Sequence, residues 1–389
     1  MAERLRTGEQ DTIDFLRALV RLESFNPPGE EQAVAEAVAA QAWRWGLLAE
    51  LIPLAESRSN VLVSLPGEPN GPTLLLCGHL DTVPPGEQPW QHPPLSGDVV
   101  DDVMHGRGTV DMKGGLVAML AALRELAGDG RRLGGRVRLV GLVGEEVDCF
   151  GAKAFLEAGG MEGVGWLVVG EPTSLDVVVA HRGALWLELT AHGKTAHGST
   201  PHLGINAIDH LIDLLRELRG LRFDYTPHPL LAPPTLSVGT IQGGIKTNVV
   251  PDRARATVDL RTVPGQRHDE LIDTVLSLAA RLEDETPGPR LEVRVAHDLP
   301  PIETSPDAPL VRALRAVVAD IRSRAPEVRG VSYYTDASVL MPPTRVPTVI
   351  FGPGDERLCH QPNEQVEVAQ VLTAVRCYAA LARRMLGSA

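Results

Sequence analysis

Short apolar runs alternate with helical stretches along the first 180 residues of this chain, and the same alternation resumes near residue 297. Strands that read as unbroken apolar runs are buried on both faces, and a helix must follow each one to bring the chain back. The order therefore commits the chain to an α/β layer around a mixed, largely parallel sheet, with helices on both faces. The strand-like runs are Asn60–Leu65, Thr73–Cys77, Arg136–Val143, Trp166–Val169 and Val177–Ala180. Helical spacing covers 10–24, 30–46, Met112–Leu126 and Gly151–Ala158, with the breaker Asn26–Glu30 between the first two.

Between 181 and 296 the order changes. Ala184–Ala191 alternates like a half-buried strand, Asn206–Leu218 is helical, and Thr235–Ile241 and Arg253–Leu260 are strands. His268–Leu282 is helical and Leu291–Val295 is a strand. This is βαβ followed by βαβ, the split ferredoxin-like α+β arrangement. The α/β pattern then returns with a helix at Ala308–Ile321, strands at Gly330–Tyr334 and Thr348–Phe351, and a closing helix at Val366–Leu386. The expected organisation is an α/β domain at 1–180 and 297–389, interrupted by an α+β domain at 181–296. A total of 389 residues agrees with two domains. The Pro-rich segment Tyr225–Pro234 reads as an exposed loop.

Composition narrows the partners. Lys and Arg number 37 against 50 Asp and Glu, a formal net charge of −13 without a basic run. That balance argues against nucleic acid and anionic membrane surfaces. Aromatic residues make up 4 %, too few for a base-stacking platform. No apolar run approaches the ~20 residues of a membrane span. The polar start, Met1–Gln10, lacks the apolar stretch of a signal peptide. None of Cys77, Cys149, Cys359 and Cys377 forms a CxxC pair, so a reduced, cytoplasmic protein is expected.

Five motifs carry acids or imidazoles just beyond expected strand ends, where open α/β sheets place their sites. GHLDTV (Gly78–Val83) offers His79 with Asp81 two positions on, a spacing that suits a metal ligand oriented by an acid. GRGTVDMKGG (Gly106–Gly115) offers Asp111 before a helix, where a simple helix cap is the plainer reading. GEEVDCFGA (Gly144–Ala152) offers Glu145 and Glu146, whose side chains diverge if the backbone is extended. GEPTS (Gly170–Ser174) offers Glu171, and CHQPNE (Cys359–Glu364) offers His360. Each alone is weak. Together His79, Asp111, Glu146, Glu171 and His360 supply two nitrogens and three carboxylates, enough for two divalent metals sharing one carboxylate. Mixed N/O ligation suits Zn²⁺, with Co²⁺ or Mn²⁺ as substitutes.

These motifs, in this order, resemble the dinuclear metallopeptidase and aminoacylase family that includes acetylornithine deacetylase, succinyl-diaminopimelate desuccinylase and glutamate carboxypeptidase. The resemblance runs from about Leu16 to Leu381. It implies that His79 and Glu171 bind one metal, Glu146 and His360 the other, and that Asp111 bridges. It implies that Asp81 orients His79 and that Glu145 is the general base. GKTAHGSTPHLGINAI (Gly193–Ile208) resembles the family's dimerisation-domain signature, with His197 matching a His that reaches the partner subunit's site. HRG (His181–Gly183), TNVVPD (Thr247–Asp252) and DLRTVPG (Asp259–Gly265) resemble substrate-holding segments, and nominate Arg182, Asn248 and Arg261 for a substrate carboxylate. The loop Tyr333–Leu340 is expected to line the pocket, with Thr335 and Asp336 as candidates. His192 and His202 recur with His197 at a spacing of five, which is neither a helical nor a strand repeat, and read as structural or surface residues.

The resemblance implies amide hydrolysis of an N-acyl amino acid by metal-activated water, with Glu145 moving the proton. His197 and the metals would stabilise the tetrahedral oxyanion. Arg suits a carboxylate because its fork binds two oxygens. A carboxypeptidase or dipeptidase of the same chemistry, acting on short peptides, is the alternative. A silent binding protein on this scaffold would have lost a ligand or the base, and none is missing. The resemblance also implies a homodimer.

Overall fold

The structure is a computed structural model that describes residues 7–130, 132–285, 288 and 290–387. The reading of the first ten residues as polar, and the outer limits of the α/β domain at 1 and 389, fall in part outside the described residues. Helices α1 (Thr7–Val20) and α2 (Gln32–Arg44) come first. The hairpin β1 (Leu48–Ala55) and β2 (Arg58–Leu65) and the strand β3 (Thr73–His79) follow. A short pair, β4 (Asp98–Val100) and β5 (Val103–His105), precedes α3 (Lys113–Gly128). Then come β6 (Arg136–Leu142), α4 (Phe150–Glu157), β7 (Val164–Val169) and β8 (Val177–His181). The chain continues with β9 (Gly183–His192), α5 (Ala207–Gly220), β10 (Thr235–Gly243), β11 (Arg253–Thr262), α6 (His268–Glu285) and β12 (Arg290–Leu299). It ends with β13 (Ile302–Glu303), α7 (Pro309–Arg322), β14 (Val328–Val331), α8 (Ala337–Thr344), β15 (Thr348–Ile350), β16 (Gln365–Glu367) and α9 (Val368–Leu386).

The described residues form two compact units. One comprises the chain up to Val179, Glu303–Gly330 and the chain from Thr335 onward. The other comprises Ala180–Ile302 with Val331–Tyr334. The boundary expected at 296 falls inside β12. A register shift between Val295 and His297 interrupts the alternation there, so the strand reads as finished four residues early.

The first unit is built on a mixed sheet in the order β1-β2-β6-β3-β7-β15-β8-β13, with β14 beside β8. At its centre β3 pairs in parallel with β6 and β7, and β7 with β15. The flanking pairs β1–β2, β2–β6 and β15–β8 are antiparallel. Every residue of β3 is buried, which is why its sequence is an unbroken apolar run rather than an alternation. Helix α3 is buried along nearly its whole length, and Ala and Leu let it lie against both the sheet and α9. Two glycines bring its start that close. A Cβ on Gly115 would sit 2.0 Å from the Gly170 carbonyl oxygen, and one on Gly114 2.4 Å from that of Thr109. Gly115→Ala should therefore cost about 3 kcal/mol, because backbone must move to admit the methyl. Gly128→Ala, whose Cβ would meet nothing within 4 Å, is the control. Thermal melts of the two variants check this, and equal melting temperatures would refute it.

The second unit is a four-stranded antiparallel sheet in the order β10-β11-β9-β12. In chain order that is 2-3-1-4, the split βαβ topology. Burial along β11 alternates because only one face is covered. Leu185, Leu187 and Leu189 of β9 pack with Leu211, Leu214 and Leu218 of α5 and Val275 and Leu278 of α6. Each fully buried Leu contributes roughly 2 kcal/mol. Asn206 caps α5, its side-chain oxygen accepting from the Ile208 and Asp209 amides at 3.0 and 3.4 Å. Among the described residues no helix is long and apolar enough to cross a membrane.

Candidate metal centre

The parallel strands deliver their chemistry at their carboxyl ends. His79 is the last residue of β3, Glu145 and Glu146 lie in the turn after β6, and Glu171 follows β7. Asp111 sits two residues before α3, and His360 follows the short turn Glu356–Leu358. All six belong to the first unit, and the fold brings them together. His79 Nε2 is 2.9 Å from Asp111 Oδ1 and 3.5 Å from Glu171 Oε1. His360 Nε2 is 3.2 Å from Asp111 Oδ2 and 2.9 Å from Glu146 Oε2. The two oxygens of Asp111 thus face different imidazoles.

The donors form two triads, His79–Asp111–Glu171 and Asp111–Glu146–His360, and within each the ligand atoms all lie within 4.8 Å of one another. Imidazole nitrogen with carboxylate oxygen is a donor set for borderline divalent cations, and these residues fit a pair of them. The two imidazoles differ in access. His79 is 1 % exposed, whereas the His360 side chain is 52 % exposed, so the triads form a floor and a rim.

The helix-cap reading of Asp111 does not hold. Met112 is the capping residue of α3 and no side chain caps it, which leaves the Asp111 carboxylate for the imidazoles. Glu145 and Glu146 do not diverge through an extended backbone either. They occupy a turn, and Glu146 alone reaches His360. The expected pairing of Asp81 with His79 is divided. His79 Nδ1 meets the peptide oxygen of Asp81 at 2.9 Å, while the carboxylate stands 3.5 Å away. That carboxylate is spent mainly on the turn. It accepts from the amides of Gly144, Glu145 and Glu146 at 3.1–3.2 Å and from Asn26 Nδ2 at 2.8 Å. Asp81 therefore positions the base-bearing turn as well as the first imidazole.

The electrostatics describe a site short of positive charge. Burial raises the Glu145 and Glu171 carboxyls well above the usual range, and acidic neighbours add to it, against the pull of His79. Burial and then Asp111 raise Glu146. Burial opposes a charged His79, but Glu171, Asp111 and Asp81 overcome it and hold its pKa well above normal. Bonds to Asp111 and Glu146 lift His360 to about 10. A divalent cation binds such ligands only as the imidazoles give up their protons, so cations and protons compete for these atoms. Asp336 is also buried, and burial pushes it to about 7 despite His79.

Thr335 lies at the start of α8, fully buried, and its hydroxyl accepts from the Ala337 amide at 3.2 Å. The remaining nominated residues belong to the second unit. Arg182 is 7 % exposed and committed there: its guanidinium donates to Pro233 O at 3.0 Å and Thr235 Oγ1 at 2.9 Å. It anchors the end of the Pro-rich loop. Arg261 pairs with Asp259 at 3.0 Å and lies 5.9 Å from the centre of the Tyr334 ring. The Asn248 side chain is exposed. His197 is exposed, and its Nδ1 accepts from the Ser199 amide at 3.1 Å, which leaves the neutral ring its proton on Nε2. His192 meets Glu292 at the surface.

His181, beside Arg182, carries a pH dependence. It is fully buried, Nδ1 meets Arg182 O at 2.9 Å, and Nε2 has no hydrogen-bond partner among the described residues. Burial drops its pKa from the ordinary 6.5 to about 4. Between those values the unfolded chain binds the proton and the folded chain does not, so stability falls as pH falls. The loss should reach roughly 3 kcal/mol by pH 4. Urea melts of wild type and His181→Gln across that range check it, and an unchanged slope in the variant would refute it.

Asn26, Glu364 and Arg107 were not singled out from the sequence. Asn26 sits in the breaker between α1 and α2. Glu364 lies within the CHQPNE motif and nothing in its neighbours distinguishes it from a surface Glu, yet it is 0 % exposed. Only the pairing of distant segments shows what these residues do.

The model of Peptidase family M20/M25/M40 matches residues 75–384. A probable succinyl-diaminopimelate desuccinylase of Staphylococcus epidermidis is 29 % identical over 95 % of this chain and 96 % of its own length. An acetylornithine deacetylase of Proteus mirabilis is 30 % identical over 83 % of this chain and 82 % of its own. A crystal structure of a dinuclear metal-binding M20 peptidase from Bacillus subtilis superimposes with a TM-score of 0.74 at 18 % identity. It covers 98 % of this chain and 99 % of the other.

Proposed function

This chain belongs to Peptidase family M20/M25/M40, a family of metal-dependent hydrolases, and from that premise we propose that it cleaves the amide bond of an N-acyl amino acid. The observation that carries the reading is the pair of donor triads sharing Asp111, with Glu145 next to Glu146 in the turn after β6. The reading assigns His79 and Glu171 to one ion, Glu146 and His360 to the other, and Asp111 to both. Zn²⁺ suits this set, and Co²⁺ or Mn²⁺ can replace it. When bound, two such cations supply a Lewis acid for the scissile carbonyl and water made acidic enough to react at neutral pH.

The chain's own residues do the rest. Glu145 takes the proton from the attacking water and gives it to the departing amine, and its buried carboxyl suits both halves of that task. Asp81 and Asn26 hold the turn that carries it. A homodimer belongs to the same reading, with His197 of a second copy donating its Nε2 proton to the developing oxyanion. Asn248 and Arg261 bind the substrate carboxylate, while Arg182 shapes the segment around Thr235. Thr335 fixes the start of α8. Four free cysteines favour a reducing, cytoplasmic setting.

The names of the two curated relatives favour an acyl group, succinyl or acetyl, on a diamino acid. The test is hydrolysis by purified protein loaded with Zn²⁺, Co²⁺ or Mn²⁺, using N-succinyl diamino acids, N-acetyl amino acids and dipeptides. Two ions per chain and preferred turnover of an N-acyl amino acid are expected. Turnover of dipeptides alone would make the protein a peptidase of the same chemistry. Fewer than two ions without turnover would leave a binding protein.

A further inference from the structure

The segment after His360 carries a second buried carboxylate that the reaction does not use. Glu364 is 0 % exposed and lies four residues beyond His360. Its Oε1 accepts from two successive peptide amides, those of Val110 at 2.8 Å and Asp111 at 3.1 Å. Its Oε2 accepts from Arg107 Nη1 at 2.5 Å, and its own peptide oxygen accepts from the Gly106 amide at 2.9 Å. One residue thus grips the Gly106–Asp111 segment at four points.

Its neighbours are tied down in turn. Arg107 is 2 % exposed and its guanidinium lies 5.2 Å from the centre of the Trp90 ring. Asn363 Oδ1 accepts from the Gln91 amide at 2.6 Å, and β16 pairs with β5 from Gln365 opposite His105. His360 and Asn363 both hold left-handed backbone, φ +60° and +61°, which a rigid surrounding must impose.

We propose that Glu364 is a positioning residue for the metal centre, fixing the bridging Asp111 and the segment of His360 in one stroke. The proposal rests on the two-metal reading above and adds a residue to it. The physical case is the direction of the bonds. Asp111 must present one oxygen to each imidazole, so its Cα–Cβ vector has little freedom, and a shift of ~1 Å would spoil one triad. Two adjacent amides pinned on one carboxylate oxygen fix that vector. A buried ion pair costs desolvation, and an apolar pair would hold two loops together at least as well. Only an acceptor can seize the Val110 and Asp111 amides. Glu364 is the counterpart of Asp81, which grips the amides of the Glu145–Glu146 turn in the same way.

The test is Glu364→Gln, which keeps the size but withdraws the charge that faces Arg107 and turns one acceptor into a donor. Zn²⁺ and Co²⁺ affinity, measured by equilibrium dialysis against a chelator buffer, should fall 10- to 100-fold, roughly the range for residues that orient metal ligands. The visible spectrum of the Co²⁺ form should change, and kcat should fall while KM stays within about twofold. A variant that folds and melts lower but binds both ions with wild-type affinity would overturn the proposal. Thr262→Val, which takes a buried hydroxyl from His268 in the second unit, controls for lost stability and should leave metal affinity unchanged. If Glu364→Gln does not fold, Glu364→Asp is read the same way, since it keeps the charge and withdraws the oxygens by one methylene. Metal titration needs no substrate. Wild-type protein that binds two ions but hydrolyses no N-acyl amino acid would sink the proposed function and leave this test standing. Wild-type protein that binds fewer than two would sink both.

Discussion

Glu145→Gln should fold normally, bind two divalent ions per chain and hydrolyse its substrate about 10³-fold more slowly, the usual loss when a positioned acid–base group is removed. The replacement is near-isosteric and Glu145 belongs to neither donor triad, so the triads survive it. What goes is a carboxylate able to take a proton from water and pass it to a poor leaving group. Because burial raises the Glu145 carboxyl well above the usual range, it takes that proton from water more readily than an exposed Glu would. Steady-state rates at saturating metal, with metal content measured on the same sample, decide the matter. Wild-type kcat in the variant would mean that another group moves the proton.

Asp111→Ala has the larger expected effect on binding. The side chain is the one member common to both triads, so its removal leaves two donors in each and takes a negative charge from between them. Metal content should fall from two ions per chain to fewer than one at concentrations that saturate the wild type. Hydrolysis should fall by about 10⁴-fold or more, since both the activated water and the electrophile depend on bound metal. Added Zn²⁺ should raise the melting temperature of wild type but not of the variant. A variant that keeps two ions and a tenth of the activity would show that Asp111 does not bridge.

Much of this was legible in the sequence, for identifiable reasons. β3 is buried throughout and announces itself as a run of Leu, and β11 covers one face and announces itself by alternation. Chain order then yields the interrupted α/β layout. Elements with mixed surroundings were missed. β1 alternates weakly and contains a proline, β4, β5 and β16 are three residues each, and α8 carries Pro342 and Pro343 inside it. The donor residues stood out because imidazoles and acids just past strand ends are informative. Asn26 and Glu364 stayed hidden because an amide or a carboxylate is at home on any surface. Their burial follows from contacts 55 and about 250 positions away. The role of Asp81 was half legible: its spacing from His79 was visible, its grip on the amides of Gly144–Glu146 was not.

The separation between Asp111 and Glu364 also sets an order of events during synthesis. The two meet across 253 positions, with the whole second unit encoded between them. A ribosome releases His79, Asp111, Glu146 and Glu171 long before His360 and Glu364. The nascent chain therefore carries all three members of one triad, with the Asp111 amide not yet held by Glu364, and two of the three members of the other. The second triad is complete only once His360 has emerged. A chain truncated before His360 keeps most of these carboxylates and cannot assemble the second triad.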